Sequence, residues 1–330
     1  MGGRSSEHEI SLASARSVIE ALDPDRYDVR SIEIGRDGRW ELPRGAQAEL
    51  GDGGGASLPV PAGGKPEPLR DVDVVLPILH GPFGEDGTVQ GLLELAGVAY
   101  VGAAVTASAL CMDKDLFKAV MRDKGIPVVE SVTVRQRHRN GLENPFGYPV
   151  VIKPARLGSS VGISVAKTPD EFSRGVDLAF AHDEKILLEE YVRGVEVECS
   201  VLGNEEPIAS IPGEIVPLAS DWYDFEAKYA DGGMELVIPP RIDERAIARV
   251  QELAVASFVA SDCEGMARVD FFVREDGEVL VNELNTIPGF TATSVYAKLF
   301  EASGISYPDL LDRLVELALE RRDRRAGLRF

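Results

Sequence analysis

Residues 268–285 constrain this chain more than any other stretch. Two apolar runs, 269–273 and 279–284, flank Asp276-Gly277, the dipeptide that most favours a two-residue hairpin turn. With those two residues as the loop, Asp270 faces Glu283 and Arg268 faces Asn285. Side chains alternate across a strand, so all four project from one face. Carboxylates set directly opposite each other repel. A cation between them removes that cost. Two acids and an asparagine form an all-oxygen ligand set, which suits Mg²⁺ with phosphate oxygens completing the shell. The same four residues also fit a plain solvated hairpin face, and the hairpin alone does not choose between the two.

Composition narrows the field. The chain has 330 residues, 44% of them hydrophobic, and a net charge of −20. That is globular composition with room for two or three domains. So acidic a chain is a poor partner for nucleic acid or an anionic membrane. Cys111, Cys199 and Cys263 are odd in number and form no ligand spacing, which argues for a reducing compartment. No apolar run is long enough to span a membrane, and the N-terminus carries no charged-then-apolar signal. A cytoplasmic location is expected.

The chain opens on a glycine-rich polar loop, residues 2–9, that leads into a helix over 11–22. Strands are expected over 27–34 and 72–79, the second buried on both faces, followed by helix 88–96 and strand 98–101. This alternation suggests a small parallel-sheet domain. A glycine loop before a helix normally follows a first strand. None precedes it here, and the expectation is that Met1 is an internal start. Helices follow at 106–112 and 113–124, and strands at 128–134, 149–153 and 163–166. Thr168-Pro169-Asp170-Glu171 is a capping box with proline at the first helical position. Strands are expected over 186–192, 196–202 and 207–211, with helices over 245–261 and 307–322. The stretches 44–68 and 221–233 read as loops, and Arg321 to Arg325 as a solvated basic tail.

Several residues carry candidate chemistry. Lys153 ends a strand before Gly158-Ser159-Ser160-Val161-Gly162, a loop that can fold over phosphates, with lysine as a point charge. On these residues alone, a simple Gly-Ser turn between strands is favoured over a phosphate loop. Glu189, Glu190 and Glu196 surround an extended segment able to offer backbone groups to an adenine edge and carboxylates to ribose, or they are ordinary solvated acids. His80 leaves a buried strand beside glycines, where binding crevices commonly form. Glu7 could hold an amine or simply start the helix. Lys228 and Tyr229 sit in an aperiodic loop of the kind that often forms a lid.

Taken in order, seven segments resemble the D-alanine–D-alanine ligase family of the ATP-grasp superfamily. They are residues 2–9, His80-Gly81 with 84–87, Met112-Asp113-Lys114, Lys153-Pro154 with 158–162, residues 226–229, residues 268–270 and residues 282–289. The resemblance implies an α/β fold, α+β in its C-terminal half: an N-terminal parallel-sheet domain (1–105), then a two-part ATP-grasp fold (106–195 and 196–330). It implies ATP-driven joining of two D-alanines for peptidoglycan precursors, in a homodimer. By similarity, Asp270, Glu283 and Asn285 hold two Mg²⁺ ions, with Mn²⁺ as a substitute. Lys114 and Lys153 meet phosphates. Glu189, Glu190 and Val192 line the adenine site and Glu196 the ribose. Glu7 anchors the first D-alanine's ammonium, linked through Ser159 and Tyr229 to the lid, with His80 nearby. Arg268 and the Gly289 backbone form an oxyanion site. Ser294 and Lys228 neighbour the second substrate and the phosphates. Tyr229 favours D-alanine over D-lactate as second substrate.

Overall fold

The N-terminal glycines turn the chain into α1 (His8–Ala21), which begins three residues earlier than its apolar spacing predicts: Glu7 is its N-cap, and Ser11 N already donates to Glu7 O at 3.0 Å. The computed structural model of the protein describes residues 1–41, 69–218 and 233–329. The expected loop 44–68, the lid residues Lys228 and Tyr229, and all but the last residue of 221–233 lie outside these.

In the first part, β1 (Glu33–Ile34) pairs antiparallel with β2 (Trp40–Glu41), and β3 (Val74–Val75) pairs in parallel with β4 (Ala99–Tyr100) across α2 (Thr88–Ala96). The strands expected over 27–34 and 72–79 therefore pair over two residues each. Met1 to Gly3 run beside Ile34: the Met1 amino group donates to Ile32 O at 2.8 Å, and Gly3 N donates to Ile34 O at 2.7 Å. A mostly apolar groove of about 610 Å³ opens between residues 27–34 and 71–79. Val72, Val74, Val75 and Leu76 line it and stay half-buried, which is why the expected two-sided burial fails.

Two helices, α3 (Val105–Met112) and α4 (Lys114–Asp123), follow. The Asp113 carboxylate caps α4 by accepting from Leu116 N at 3.3 Å. Next comes a four-stranded antiparallel sheet of β5 (Ser131–Arg135), β6 (Val150–Pro154), β7 (Ser164–Ala166) and β8 (Lys185–Glu190), in the order β5-β8-β6-β7. Helix α5 (Pro169–His182) packs on it, opened as expected by Thr168 and Pro169.

The remaining strands form a six-stranded antiparallel sheet. These are β9 (Val195–Gly203), β10 (Ile208–Ala209), β11 (Gly213–Pro217), β12 (Met234–Val237), β13 (Gly265–Val273) and β14 (Val279–Asn285). One face packs on α6 (Glu244–Ala260) and also on α3 and α4. Phe117, Met121, Phe258 and Phe271 are fully buried there, and truncating one such phenylalanine to alanine costs about 3–5 kcal/mol. Cys111 and Cys263, 152 positions apart, meet in this core as unbonded thiols with their sulfurs 4.0 Å apart. The other face carries α7 (Val295–Ala302) and the cleft described below.

The last helix, α8 (Tyr307–Ala326), packs against α1, β3 and β4 as well as the large sheet. It corrects the reading of a solvated tail. Arg321 is buried, donating to Tyr100 O and Gly102 O at 2.5 Å with its guanidinium 4.4 Å over the Tyr100 ring. Arg324 and Arg325 pair with Glu264. The helical stripe that buries Leu310, Leu314 and Leu317 runs on to Arg321, so position on the helix overrides charge.

Candidate functional site

The hairpin at 268–285 places its four polar residues as expected, by a different route. Arg268 faces Asn285 and Asp270 faces Glu283. The tip, however, is a three-residue loop, not the two-residue Asp276-Gly277 turn: Arg274 N donates to Glu278 O, and Gly277 sits at φ 86°. That loop alone would slip the pairing by one. The register shifts back between Asp270 and Phe271, with Asn282 as the extra residue of a bulge. Two departures cancel. The bulge also turns consecutive residues Asn282 and Glu283 toward one cleft.

That cleft, of about 320 Å³, lies between the two sheets. Lys114, Lys153, Ser159, Glu189, Glu190, Val192, Glu196, Asp270 and Glu283 all line it, as the sequence reading expects. Apolar walls come from Val129, Val151, Ile163, Ile215 and Phe272. The opposed carboxylates already carry cations of the protein itself. Arg268 donates to both Asp270 oxygens at 2.7 Å, and Asn285 Nδ2 donates to Asp270 Oδ2 at 3.0 Å. Lys114 Nζ lies 3.2 Å from Glu283 Oε2 and donates to Leu157 O at 2.7 Å. Burial opposes the charge on Arg268, but Asp270 and Glu198 outweigh it, so its pKa lies above the ordinary arginine value.

Glu189 lines the cleft and is also fixed by two cations. It is buried between Lys153, 2.7 Å from one oxygen, and Lys118, 2.9 Å from the other. Burial pushes Glu189 up, but the two lysines outweigh it and hold the carboxyl below its usual range. Burial likewise lowers Lys118 to about 8. Lys153 reaches onward to Asn282 Oδ1 at 3.1 Å, tying the small sheet to the bulge. Glu190 turns to Arg274, which donates to both its oxygens at 2.9 and 2.8 Å.

A second group forms where the N-terminal loop meets the 156–162 loop. Ser159, at φ 52°, donates its hydroxyl to Glu7, 152 positions away. Glu7 is buried at the start of α1, where the helix dipole favours a carboxylate. Gly81, at φ 77°, makes room for it: a Cβ there would lie 2.5 Å from Glu7 Oε2. His80 is buried, with Nδ1 3.0 Å from Ile287 O and 3.7 Å from Glu85, and Nε2 3.1 Å from Ser14 Oγ. Burial would lower His80, but Glu85 and Glu7 outweigh it and raise the imidazole above its ordinary value. Ser294 Oγ donates to Thr291 O at 2.7 Å, inside its own loop, and lies just behind Gly289.

Lys118, Glu198, Arg274 and Asn282 were not singled out from the sequence. Lys118 had a signal: it stands one helical turn from Lys114, beside Phe117 and Met121, where a solvated lysine does not belong. Glu198 alternates with the core residues Val197 and Cys199 and so shares the face of Asp270.

Among the described residues, no cluster of three or more His, Cys, Asp or Glu side chains is arranged to hold a metal. Asp270, Glu283 and Asn285 nonetheless fit a hard divalent cation, because the set is all oxygen and two carboxylates face each other across one rung.

Known proteins resemble the chain along nearly its whole length. Residues 1–103 match the family described as D-ala D-ala ligase N-terminus, and residues 120–316 match D-ala D-ala ligase C-terminus. The chain is 46% identical to a D-alanine–D-alanine ligase of Streptomyces coelicolor, over 97% of this chain and 92% of that protein. It is 41% identical to D-alanine–D-alanine ligase A of Escherichia coli K12, over 97% and 94%. Among solved structures, the D-alanine–D-alanine ligase of Coxiella burnetii superposes with a TM-score of 0.83 at 38% identity, covering 98% of this chain and 94% of that one. The VanG D-Ala:D-Ser ligase of Enterococcus faecalis gives 0.81 at 35%, covering 96% and 97%. With both halves of the family matched in order along the chain, it belongs to the D-alanine–D-alanine ligase family.

Proposed function

We propose that the protein joins two D-alanines to D-alanyl-D-alanine, a peptidoglycan precursor, converting ATP to ADP and phosphate by way of a D-alanyl phosphate. Family membership supports the reaction. One contact supports the division of labour: Ser159, in the loop over the nucleotide cleft, donates to Glu7 in the N-terminal domain. The amine pocket and the phosphate pocket thus share a wall.

A carboxylate is a poor acylating agent until it is phosphorylated. In this reading, Glu7 and His80 hold the first D-alanine, and one of its carboxylate oxygens attacks the γ-phosphoryl group, releasing ADP. Such a transfer needs alignment and charge neutralisation more than covalent help. Lys114 and Lys153 supply fixed positive charge beside the phosphates, and Glu189 with Glu190, Val192 and Glu196 shapes the nucleoside end. Asp270, Glu283 and Asn285 would hold two Mg²⁺ ions, or Mn²⁺ in their place, whose charge when bound offsets that of the phosphates. The free amine of the second D-alanine then attacks the acyl carbon. Negative charge collects on the carbonyl oxygen, opposite Arg268 and the Gly289 backbone, with Ser294 beside the second substrate. Phosphate leaves as the peptide bond forms. The 156–162 loop, with Lys228 and Tyr229, excludes water that would hydrolyse the acyl phosphate.

This reading carries with it the three-part division at 105 and 195, a homodimer, a cytoplasmic location, and no nucleic-acid or membrane partner. No helix among the described residues is long and apolar enough to cross a membrane. The test is phosphate release with ATP and Mg²⁺, with the dipeptide identified by mass. D-alanine alone should support turnover. L-alanine should not, and D-lactate or D-serine added to D-alanine should give little mixed product. Absence of phosphate release with D-alanine overturns the proposal.

A further inference from the structure

Three carboxylates lie in one row across the large sheet. Asp270 on β13 faces Glu283 on β14 at one side and Glu198 on β9 at the other. Two of them line the nucleotide cleft; Glu198 is buried and does not. Its neighbour on β11 is Gly213, where Leu236 and Leu299 fill the space a side chain would take, so the surroundings on that side are apolar. Arg268 reaches between the two buried acids. Its Nε lies 2.7 Å from Asp270 Oδ1 and 2.9 Å from Glu198 Oε2, while Nη2 takes the second Asp270 oxygen at 2.7 Å.

Asp270 therefore has two claims on it. Both its oxygens serve a buried guanidinium, and the proposed reaction also asks it to face a divalent cation. If it turned to the cation with nothing else beside Arg268, a buried charge would be left uncompensated, which proteins tolerate poorly. Glu198 is buried and does not line the cleft, so a ligand there competes for Asp270 and not for Glu198. An arginine fork shared by two acids can keep its place when one of them is redirected.

We propose that Glu198 is a positioning residue: the fixed counter-ion that holds Arg268 toward the reacting carbonyl and releases Asp270 for the metal–nucleotide complex. The proposal rests on the ligase reading above. It assigns Glu198 no contact with substrate or metal.

The test is Glu198→Gln, which keeps the shape and removes the charge. Arg268 is then left bonded to Asp270, with Glu283 also favouring its charge. The Mg²⁺ concentration needed for half-maximal ADP binding, read by calorimetry without turnover, should rise about tenfold, and kcat should fall about 100-fold, the scale of losing one oxyanion donor. KM for D-alanine should move less than about threefold, as expected when a transition-state contact is lost. In an Arg268→Met background the same change should add little to the loss of kcat, because the pair acts as a unit. Should the glutamine variant fail to fold, Glu198→Asp withdraws the charge by one methylene and should move both readouts in the same direction by less. A lower melting temperature with kcat and Mg²⁺ dependence unchanged would overturn the proposal, leaving Glu198 a structural counter-ion. A parent protein inactive with D-alanine would overturn the ligase reading instead, and the Mg²⁺ dependence of ADP binding would still judge Glu198.

Discussion

Replacing Lys118 by methionine tests the electrostatics beneath the cleft. Lys118 is fully buried, 2.9 Å from Glu189 Oε1, and donates to Val129 O at 3.2 Å. Removing one partner of a buried ion pair costs about 3–5 kcal/mol. Glu189 keeps Lys153 at 2.7 Å, so the lower end, about 3 kcal/mol, applies. An unfolding entropy of about 2.1 cal/mol/K per residue gives roughly 1.4 °C per kcal/mol for a chain of 330 residues, so the variant should melt roughly 4 °C below the parent at pH 7. The pH dependence has a definite sign. Burial lowers Lys118 to about 8 against 10.5 for the exposed side chain, so above pH 8 the unfolded chain holds that proton more tightly than the folded one. Parent stability therefore gains from this group between pH 8 and 10.5, by about 2 kcal/mol at pH 9.5. The methionine variant lacks the gain, and the gap between the two should widen with pH. Urea unfolding at pH 7 and pH 9.5 measures both. Equal stability at pH 7, or a gap that narrows by pH 9.5, would refute the charged Lys118–Glu189–Lys153 arrangement. With Glu189 left to Lys153 alone, KM for ATP should also rise while kcat holds.

Other changes probe other joints. Asp270→Asn and Glu283→Gln should each lower turnover by at least about 10³-fold with circular dichroism unchanged, and EDTA should do the same to the parent; activity within tenfold would refute the metal assignment. Gly84→Ala puts a Cβ 2.0 Å from Leu79 O, so backbone must move; a loss of about 3 kcal/mol is expected in urea, with KM for D-alanine rising as the His80–Glu85 loop shifts. Arg321→Met removes the donors to Tyr100 O and Gly102 O and should cost about 3 kcal/mol; a change below about 1 kcal/mol would return Arg321 to the surface. Tyr229→Phe should let D-lactate compete as second substrate, read as depsipeptide by mass spectrometry; an unchanged product ratio would leave the tyrosine a packing residue.

Strand alternation by itself placed Arg268, Asp270, Glu283 and Asn285 on one hairpin face; the other expected site residues rested on the family resemblance. The hairpin shows where such reading fails. Its Asp-Gly dipeptide suggested a two-residue turn, and the pairing at Asp270 came out correct only because the longer loop and the bulge offset each other. The bulge did leave a trace: the core positions of β14 are 279, 281 and 284, a spacing of two and then three, with adjacent polar residues between. Arg321 was misread because a run of arginines outweighed the helical spacing from Leu310 through Leu317 that places it inside. Helix α7 is outside the sequence expectations: Val295, Tyr296, Leu299 and Phe300 form an apolar stripe, but the helix spans only eight residues and follows closely on Pro288-Gly289, a local signal for irregular structure. Glu198 needed the third strand, because nothing local joins position 198 to 270.

The two irregularities of the hairpin can change length independently. One residue lost from 275–277 leaves a two-residue tip and keeps Val273 opposite Val279. One residue lost at Asn282 removes the bulge and keeps Phe271 opposite Val281 and Asp270 opposite Glu283, but gives up the bond in which Lys153 Nζ donates to Asn282 Oδ1 at 3.1 Å. Homologues should therefore vary in tip length with no matching change at the position of Asn282, and the rung that pairs the two acids is insulated from both.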